Sequence, residues 1–410
     1  MVSPKARACS AEFDALCLLV RPKPDPIRAG QALQAGADVA TLCRLAGEHR
    51  VRPRMIESLG LLSGLELPVA IRSSLEAFRR LHCVRVLSLV QELRRLGAAL
   101  GANGVCYATF KGPTLAARLY GDAAGREYSD IDLIVPHAQY ESAEQTLAAL
   151  GYRGVQGDRA FRQAFLAHLR QCAFAHPDVD ATVDLHWDFR GIHLPFPLSP
   201  DEIWEQLEPF TIAGTSVPTI GGLNLALVLA GHGTKEAWRS LDWICDVAML
   251  VDKCPDLDWL EVHQRARRHR CGDSVLLACT LADRLLGTPL PAPLAEPLAA
   301  SARVPRLAGA LIEELRQGRA QAQLREGATD LDLCETRGAR LKALLTLALA
   351  CTAGDYAALP LPQPMWPLYH AIRPFRLVGK GLLALAAPAK LLRRGPISHV
   401  PRHTGEEYEK

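Results

Sequence analysis

The stretch TFKGPTLAARLYGDAAGREYSDIDLIV, residues 109–135, places two aspartates, Asp130 and Asp132, in an apolar run that otherwise reads as a buried strand. Successive strand residues face opposite ways, so the two carboxylates share one face while Ile131 and Leu133 take the other. Carboxylates crowded together in apolar surroundings are costly unless a cation lies between them. A Lys-Gly-Pro turn, Lys111 to Pro113, precedes the pair, and ATVDLHW (181–187) follows it. There the pattern repeats, with Asp184 and His186 on one strand face and Val183, Leu185 and Trp187 on the other. Hard divalent ions, above all Mg²⁺, are held by one or two carboxylates together with substrate phosphates. Two aspartate-bearing strands from one core therefore suggest a two-metal site for in-line phosphoryl or nucleotidyl transfer. Alone, Asp-x-Asp is equally an acidic strand end, and Lys-Gly an ordinary turn.

Outward from this centre, the pattern divides the 410 residues into four parts. Residues 1–100 read as a helical region. Within it, Leu75, Phe78, Leu81, Val86, Leu89, Leu93 and Leu96 recur at helical spacing between arginines. From GANG (101–104) to residue 220, short β-like runs (VCYATF, IDLIV, GYRGV, QCAFAH, ATVDLHW, FTIAGTSVPTI) alternate with helical stretches such as QYESAEQTLAAL, the mark of a mixed core. Residues 221–352 are helical again, and 353–410 hold a Pro-rich turn (LPLPQPMWP) and a basic C-terminal tail.

Composition narrows the function classes. A net charge of +3 on this length neither demands nor forbids a local basic groove, but the evenly spread basic residues make nucleic acid an unlikely partner. Twelve cysteines show no C-x-x-C pair and no zinc-type Cys/His spacing, which reads as reduced core thiols and a cytoplasmic setting. No apolar run approaches the roughly 18 residues of a membrane span, and the first residues lack the core of a signal peptide.

These residues together carry a resemblance. The chain resembles the nucleotidyltransferase superfamily with a polymerase-β-like palm, and within it the uncharacterised bacterial nucleotidyltransferase family of the NTP_transf_5 type. The matching elements are FKGPTLAARLY with Lys111, Gly112 and Tyr120, then GREYSDIDLIV with Arg126, Ser129, Asp130 and Asp132. VDLHW supplies Asp184 and His186, and AGHGTKEAWRSLDWICDVAML supplies His232, Lys235, Trp238 and Asp246. The superfamily's usual turn is Gly-Gly or Gly-Ser with a shorter gap. Here the turn is Lys-Gly, with seventeen residues between Gly112 and Asp130.

The resemblance implies an α+β fold: a palm of small mixed sheet and helices, flanked by N- and C-terminal helical regions. It implies that Asp130, Asp132 and Asp184 bind one or two Mg²⁺ ions and act catalytically. Lys111, Gly112, Arg126, Ser129, His186, His232 and Lys235 become the expected nucleotide-binding residues, with an NTP, most readily ATP, as co-substrate. Arg126 is expected either at phosphate or paired with Asp130, and His186 at substrate, at Asp184 or in the core. His232 and Lys235 share a helix face that Asp246 could meet if the two helices form an αα-hairpin. A nucleotide contact is expected there, with a structural salt bridge as the alternative, and Trp238 and Trp243 are expected in the core rather than stacked on a base. The implied reaction moves an NMP to a hydroxyl of a small molecule or peptide in a biosynthetic pathway. The alternative is a non-catalytic palm that binds a protein or small-molecule partner in a natural-product or polysaccharide gene cluster.

Overall fold

The computed structural model describes residues 4–61, 67–155, 170–190, 194–318, 334–351 and 353–386. Of the basic C-terminal tail, Lys390, Arg393 and Arg394 lie outside these. Four helices open the chain: α1 (Pro4–Val20), α2 (Pro26–Gln34), α3 (Val39–Glu48) and α4 (Arg52–Leu59). Asp25 and Asp38 cap α2 and α3 by accepting hydrogen bonds from Arg28 N and Thr41 N, satisfying amides that the first turn leaves orphaned. A 34-residue helix, α5 (Val69–Ala102), then leads to the sheet.

The strands are β1 (Ala108–Thr109), β2 (Asp130–Ile134), β3 (Arg153–Gly154), β4 (Gln171–Ala175), β5 (Thr182–His186), β6 (Leu207–Ile212) and β7 (Thr215–Ile220). They form one seven-stranded mixed sheet in the order β3-β4-β5-β2-β1-β7-β6. At its centre β2 runs parallel to β5 and antiparallel to β1. Helix α6 (Gly112–Tyr120) follows β1, and α7 (Tyr140–Ala149) follows β2.

Alternation along the strands assigns the two faces. Ile131, Leu133, Val135, Val183, Leu185 and Trp187 pack with α5 and α7 in one hydrophobic core. The opposite face turns toward a second, larger core that joins Ala108, Phe110 and Ile134 to α1–α4 and to the helices Gly222–Lys235, Leu241–Lys253, Trp259–Arg268, Gly272–Leu286 and Arg303–Arg316. The first 100 residues thus serve both cores: α5 backs the sheet, whereas α1–α4 pack on the helices that follow it. Hydrogen bonds tie that second group, from Ser58 Oγ to Leu19 O at 2.6 Å and from Ser240 Oγ to His49 O at 3.1 Å.

On α5 the structure corrects one member of the apolar stripe. Leu81 is 72% exposed, and the inward position belongs to His82. The five-residue step from Leu81 to Val86 breaks the helical repeat there, so the neighbour turns in instead. His82 stacks on Phe78 and bonds through Nε2 to Ala124 O at 3.2 Å and Arg126 O at 3.0 Å, pinning the loop that leads into β2. The cysteines are free among the described residues, and most are at least partly buried, but Cys83 and Cys106 are exposed rather than in a core. Among the described residues no helix is long and apolar enough to cross a membrane.

Candidate active site

The register of three central strands builds the site. Parallel pairing sets Asp132 opposite Asp184 and Asp130 opposite Thr182, so side chains on the same face of β2 and β5 stand one strand spacing apart. Antiparallel pairing sets Ala108 opposite Ile134 and Thr109 opposite Leu133. Continued forward, that register brings the chain after β1 back to the start of β2. Gly112 accordingly lies against Asp130: its φ is +57°, and a Cβ there would come within 3.2 Å of Asp130 O. Both the left-handed backbone and the close approach favour glycine. Thr114 Oγ1 donates to Lys111 O at 3.1 Å and Thr219 Oγ1 to Thr109 O at 2.9 Å, fixing the turn to the sheet.

Asp132, Asp184 and His186 present ligand atoms that all lie within 4.8 Å of one another. Asp132 and His186 are buried, with His186 Nε2 3.5 Å from Asp132 Oδ1. Asp130 is half-buried at the rim of this group, and Ser129 is exposed beside it. Burial and the neighbouring Asp132 push Asp130 up to about 6. Burial and both aspartates push Asp184 up to about 7. Burial also opposes charge on Asp132, but the His186 ring and the Lys111 ammonium outweigh it and hold this carboxyl below its ordinary value. Three crowded carboxyls thus share their negative charge unequally in the absence of a cation. A carboxylate pair with an imidazole is a suitable donor set for a divalent ion, and a buried ring whose Nδ1 is unpartnered and whose Nε2 has only the loose Asp132 approach supports that fit.

A wall of rings and cations faces the carboxylates. Lys111 is buried, with Nζ 4.3 Å from the Trp243 ring centroid, and burial lowers its pKa despite Asp132 nearby. His232 lies between Phe110 and Trp243, stacked at centroid distances of 5.8 and 6.1 Å. Burial and the Lys111 and Lys235 charges hold it neutral, well below the usual imidazole range. Lys235, at the end of the same helix, donates to Gln171 Oε1 at 3.4 Å. His232 and Lys235 do not meet Asp246. Trp243 is half-buried and packs against the larger core, as expected, while its ring also meets Lys111 and His232; Trp238 is fully buried against Gly233.

Asp246 belongs to a different cluster. Arg126 Nε donates to both its oxygens, at 2.9 and 3.0 Å, and Tyr120 Oη donates to Oδ1 at 2.8 Å. Arg126 also stands 3.9 Å from Asp242. The bonded partner the folded chain gives Arg126 is Asp246 rather than Asp130, although its charge reaches Asp130 and Asp132. Tyr120, Arg126 and Asp246 instead form one buried strut between the β1–β2 connection and the helix Leu241–Lys253. Sequence reasoning did not single out Arg50, whose guanidinium Nε lies 3.6 Å from Asp242 and whose charge reaches Asp130. Its loop position carries no motif, so only tertiary packing reveals it.

A mixed sheet carrying three carboxylates across adjacent β2 and β5, with a glycine turn against the first, defines a nucleotidyltransferase palm with flanking helices. The chain belongs to the family described as uncharacterised nucleotidyltransferase, whose model matches residues 35–287. A comparison with curated proteins gives no match.

Proposed function

We propose that the protein is a Mg²⁺-dependent nucleotidyltransferase that moves an NMP from an NTP, with ATP the proposed donor, to a hydroxyl of a small molecule or peptide in a biosynthetic pathway. The observation that carries this reading is the register that sets Asp132 beside Asp184, with Asp130 one step away against the Gly112 turn. Asp130 and Asp132 would hold the ion that accompanies the triphosphate, and Asp132 and Asp184 a second. Bound there, divalent ions supply neutralisation of the triphosphate charge and acidify the acceptor hydroxyl.

The chain's own residues position the reactants. Gly112 leaves room for phosphate at the turn, with the amides that open α6 aimed toward it. Lys111, Lys235 and Arg50 line the approach as cations for the triphosphate, while Ser129 is free to bond at the rim. His232 keeps a neutral, stacked surface beside them. The acceptor oxygen forms a bond to the α-phosphorus, the α–β bridging bond breaks, and pyrophosphate leaves with that electron pair. Asp184, at the second ion, would help acidify the acceptor hydroxyl and take up its proton. Arg126 acts through the strut rather than at phosphate. A cytoplasmic setting, rich in NTPs and Mg²⁺, suits this chemistry.

The test is mass spectrometry of reactions containing each of the four NTPs, Mg²⁺ and extract of the host. A product heavier by one nucleotide, absent with Asp132→Asn, is expected. Equal pyrophosphate release by wild type and Asp132→Asn with every NTP would overturn the reading and leave a non-catalytic palm.

A further inference from the structure

We propose that His186 is itself a metal ligand, making the Asp132–Asp184 seat a two-carboxylate, one-imidazole site that takes a nitrogen-accepting divalent ion such as Mn²⁺ or Co²⁺ in preference to Mg²⁺. This rests on the reading of the acidic cleft as a cation site and adds to it a ligand and a class of metal.

Histidines elsewhere in the chain show what a satisfied buried ring looks like. His82 bonds to two backbone carbonyls, at 3.2 and 3.0 Å, and His176 to Leu150 O at 3.1 Å. His186 is 3% exposed, yet its Nδ1 has no polar partner in the protein and its Nε2 has only the Asp132 carboxylate, at a loose 3.5 Å. A buried donor or acceptor left unpaired costs about 1–3 kcal/mol, a cost that coordination would offset. The ring is held edge-on by Phe110 at 5.1 Å between centroids and flanked by Phe189 at 6.0 Å. This sets its position but supplies no polar partner.

The spacing suits one ion. Ligand atoms about 2.1 Å from a metal lie roughly 3 Å apart when adjacent and about 4.2 Å when opposite. The 3.5 Å between His186 Nε2 and Asp132 Oδ1 falls between those values. Asp184 completes the group, its ligand atom within 4.8 Å of the other two. His232 Nε2 is also unpartnered, but its ring is stacked between Phe110 and Trp243 and is not in the group. Asp130 pairs in register with Thr182 and remains for the ion nearer the triphosphate. The cations facing the seat are Lys111, Lys235 and Arg126, so two carboxylates and an imidazole must hold the ion against them. Imidazole suits the later transition ions best, Mn²⁺ takes it less strongly alongside its oxygen ligands, and Mg²⁺ holds to oxygen, which gives the expected order Co²⁺, Mn²⁺, Mg²⁺.

The experiment is titration of the full metal-free chain with Mn²⁺ alone and with Mg²⁺ alone, followed by pulsed electron paramagnetic resonance of the Mn²⁺ complex. Coupling to a coordinated imidazole ¹⁴N is expected in wild type and in His232→Gln, and its loss in His186→Gln. That variant should bind Mn²⁺ weaker by on the order of tenfold or more, with Mg²⁺ affinity changed far less. The wild-type spectrum decides even if His186→Gln fails to fold. Histidine labelled with ¹⁵N should replace the coupling with that of ¹⁵N. Mn²⁺ bound without histidine coupling, or coupling kept in a folded His186→Gln, overturns the inference and leaves the carboxylate site standing. Failure of wild type to bind either ion overturns both.

Discussion

Replacing Arg126 by methionine tests whether this residue braces the site or binds nucleotide. The guanidinium is 7% exposed and its chief partner, Asp246, is fully buried, with Nε contacts at 2.9 and 3.0 Å. At these separations an effective dielectric near 20 corresponds to an attraction of about 4–6 kcal/mol before desolvation is counted. Arg126→Met strands Asp246 with only the Tyr120 hydroxyl, and leaves buried Asp242 with the half-exposed Arg50 at 3.6 Å. Breaking one side of such a pair typically costs about 3–5 kcal/mol, because the remaining charge has lost its compensation. Asp246→Asn should cost less, since Arg126 keeps Asp242 at 3.9 Å. The double variant should recover part of the loss, giving a coupling above about 1 kcal/mol in a denaturant-unfolding cycle. Nucleotide affinity per folded molecule should fall only modestly. A stability change within about 0.5 kcal/mol, together with collapse of NTP binding, would refute the strut and make Arg126 a phosphate ligand.

Gly112→Ala forces a Cβ to within 3.2 Å of Asp130 O at φ +57°. It should destabilise by about 1–2 kcal/mol in thermal unfolding and, by displacing the Asp130 backbone, lower turnover by on the order of 100-fold. Asp130 at about 6 and Asp184 at about 7 are raised above the ordinary 3.8, so between those values the folded metal-free chain holds more protons than the unfolded one. Their contribution to stability is therefore full below about pH 4 and is lost as pH rises toward 7. Differential scanning calorimetry should show this slope flattened in Asp184→Asn. Added Mg²⁺ should raise Tm more at about pH 8 than at about pH 5.5, because bound ions must displace those protons. His82→Ala frees the Ala124 and Arg126 carbonyls, and hydrogen exchange should quicken in residues 122–129.

Much of the sheet was legible because its strands carry period-2 alternation bounded by turns, as in IDLIV and VDLHW. The pairing of the two aspartate strands was also legible in outline, since matching carboxylate faces imply adjacency. The partners of Arg126 and Asp246 were not, because they lie 120 residues apart and nothing local distinguishes a strut from a phosphate contact. His82 was hidden for a different reason: an apolar neighbour, Leu81, fitted the helical stripe better than the polar residue that turns inward. Arg50 and Trp243 joined the site only through packing of α1–α4 and the later helices, which sequence spacing does not encode.

The proposed chemistry requires that the carboxylates hold metal and nucleotide together. Isothermal titration calorimetry of the wild-type chain with each NTP, with and without Mg²⁺, measures this most directly. At least one NTP should bind only when the ion is present, and Asp132→Ala should abolish that dependence while remaining folded. No metal-dependent binding by wild type, or binding unchanged in Asp132→Ala, would contradict it.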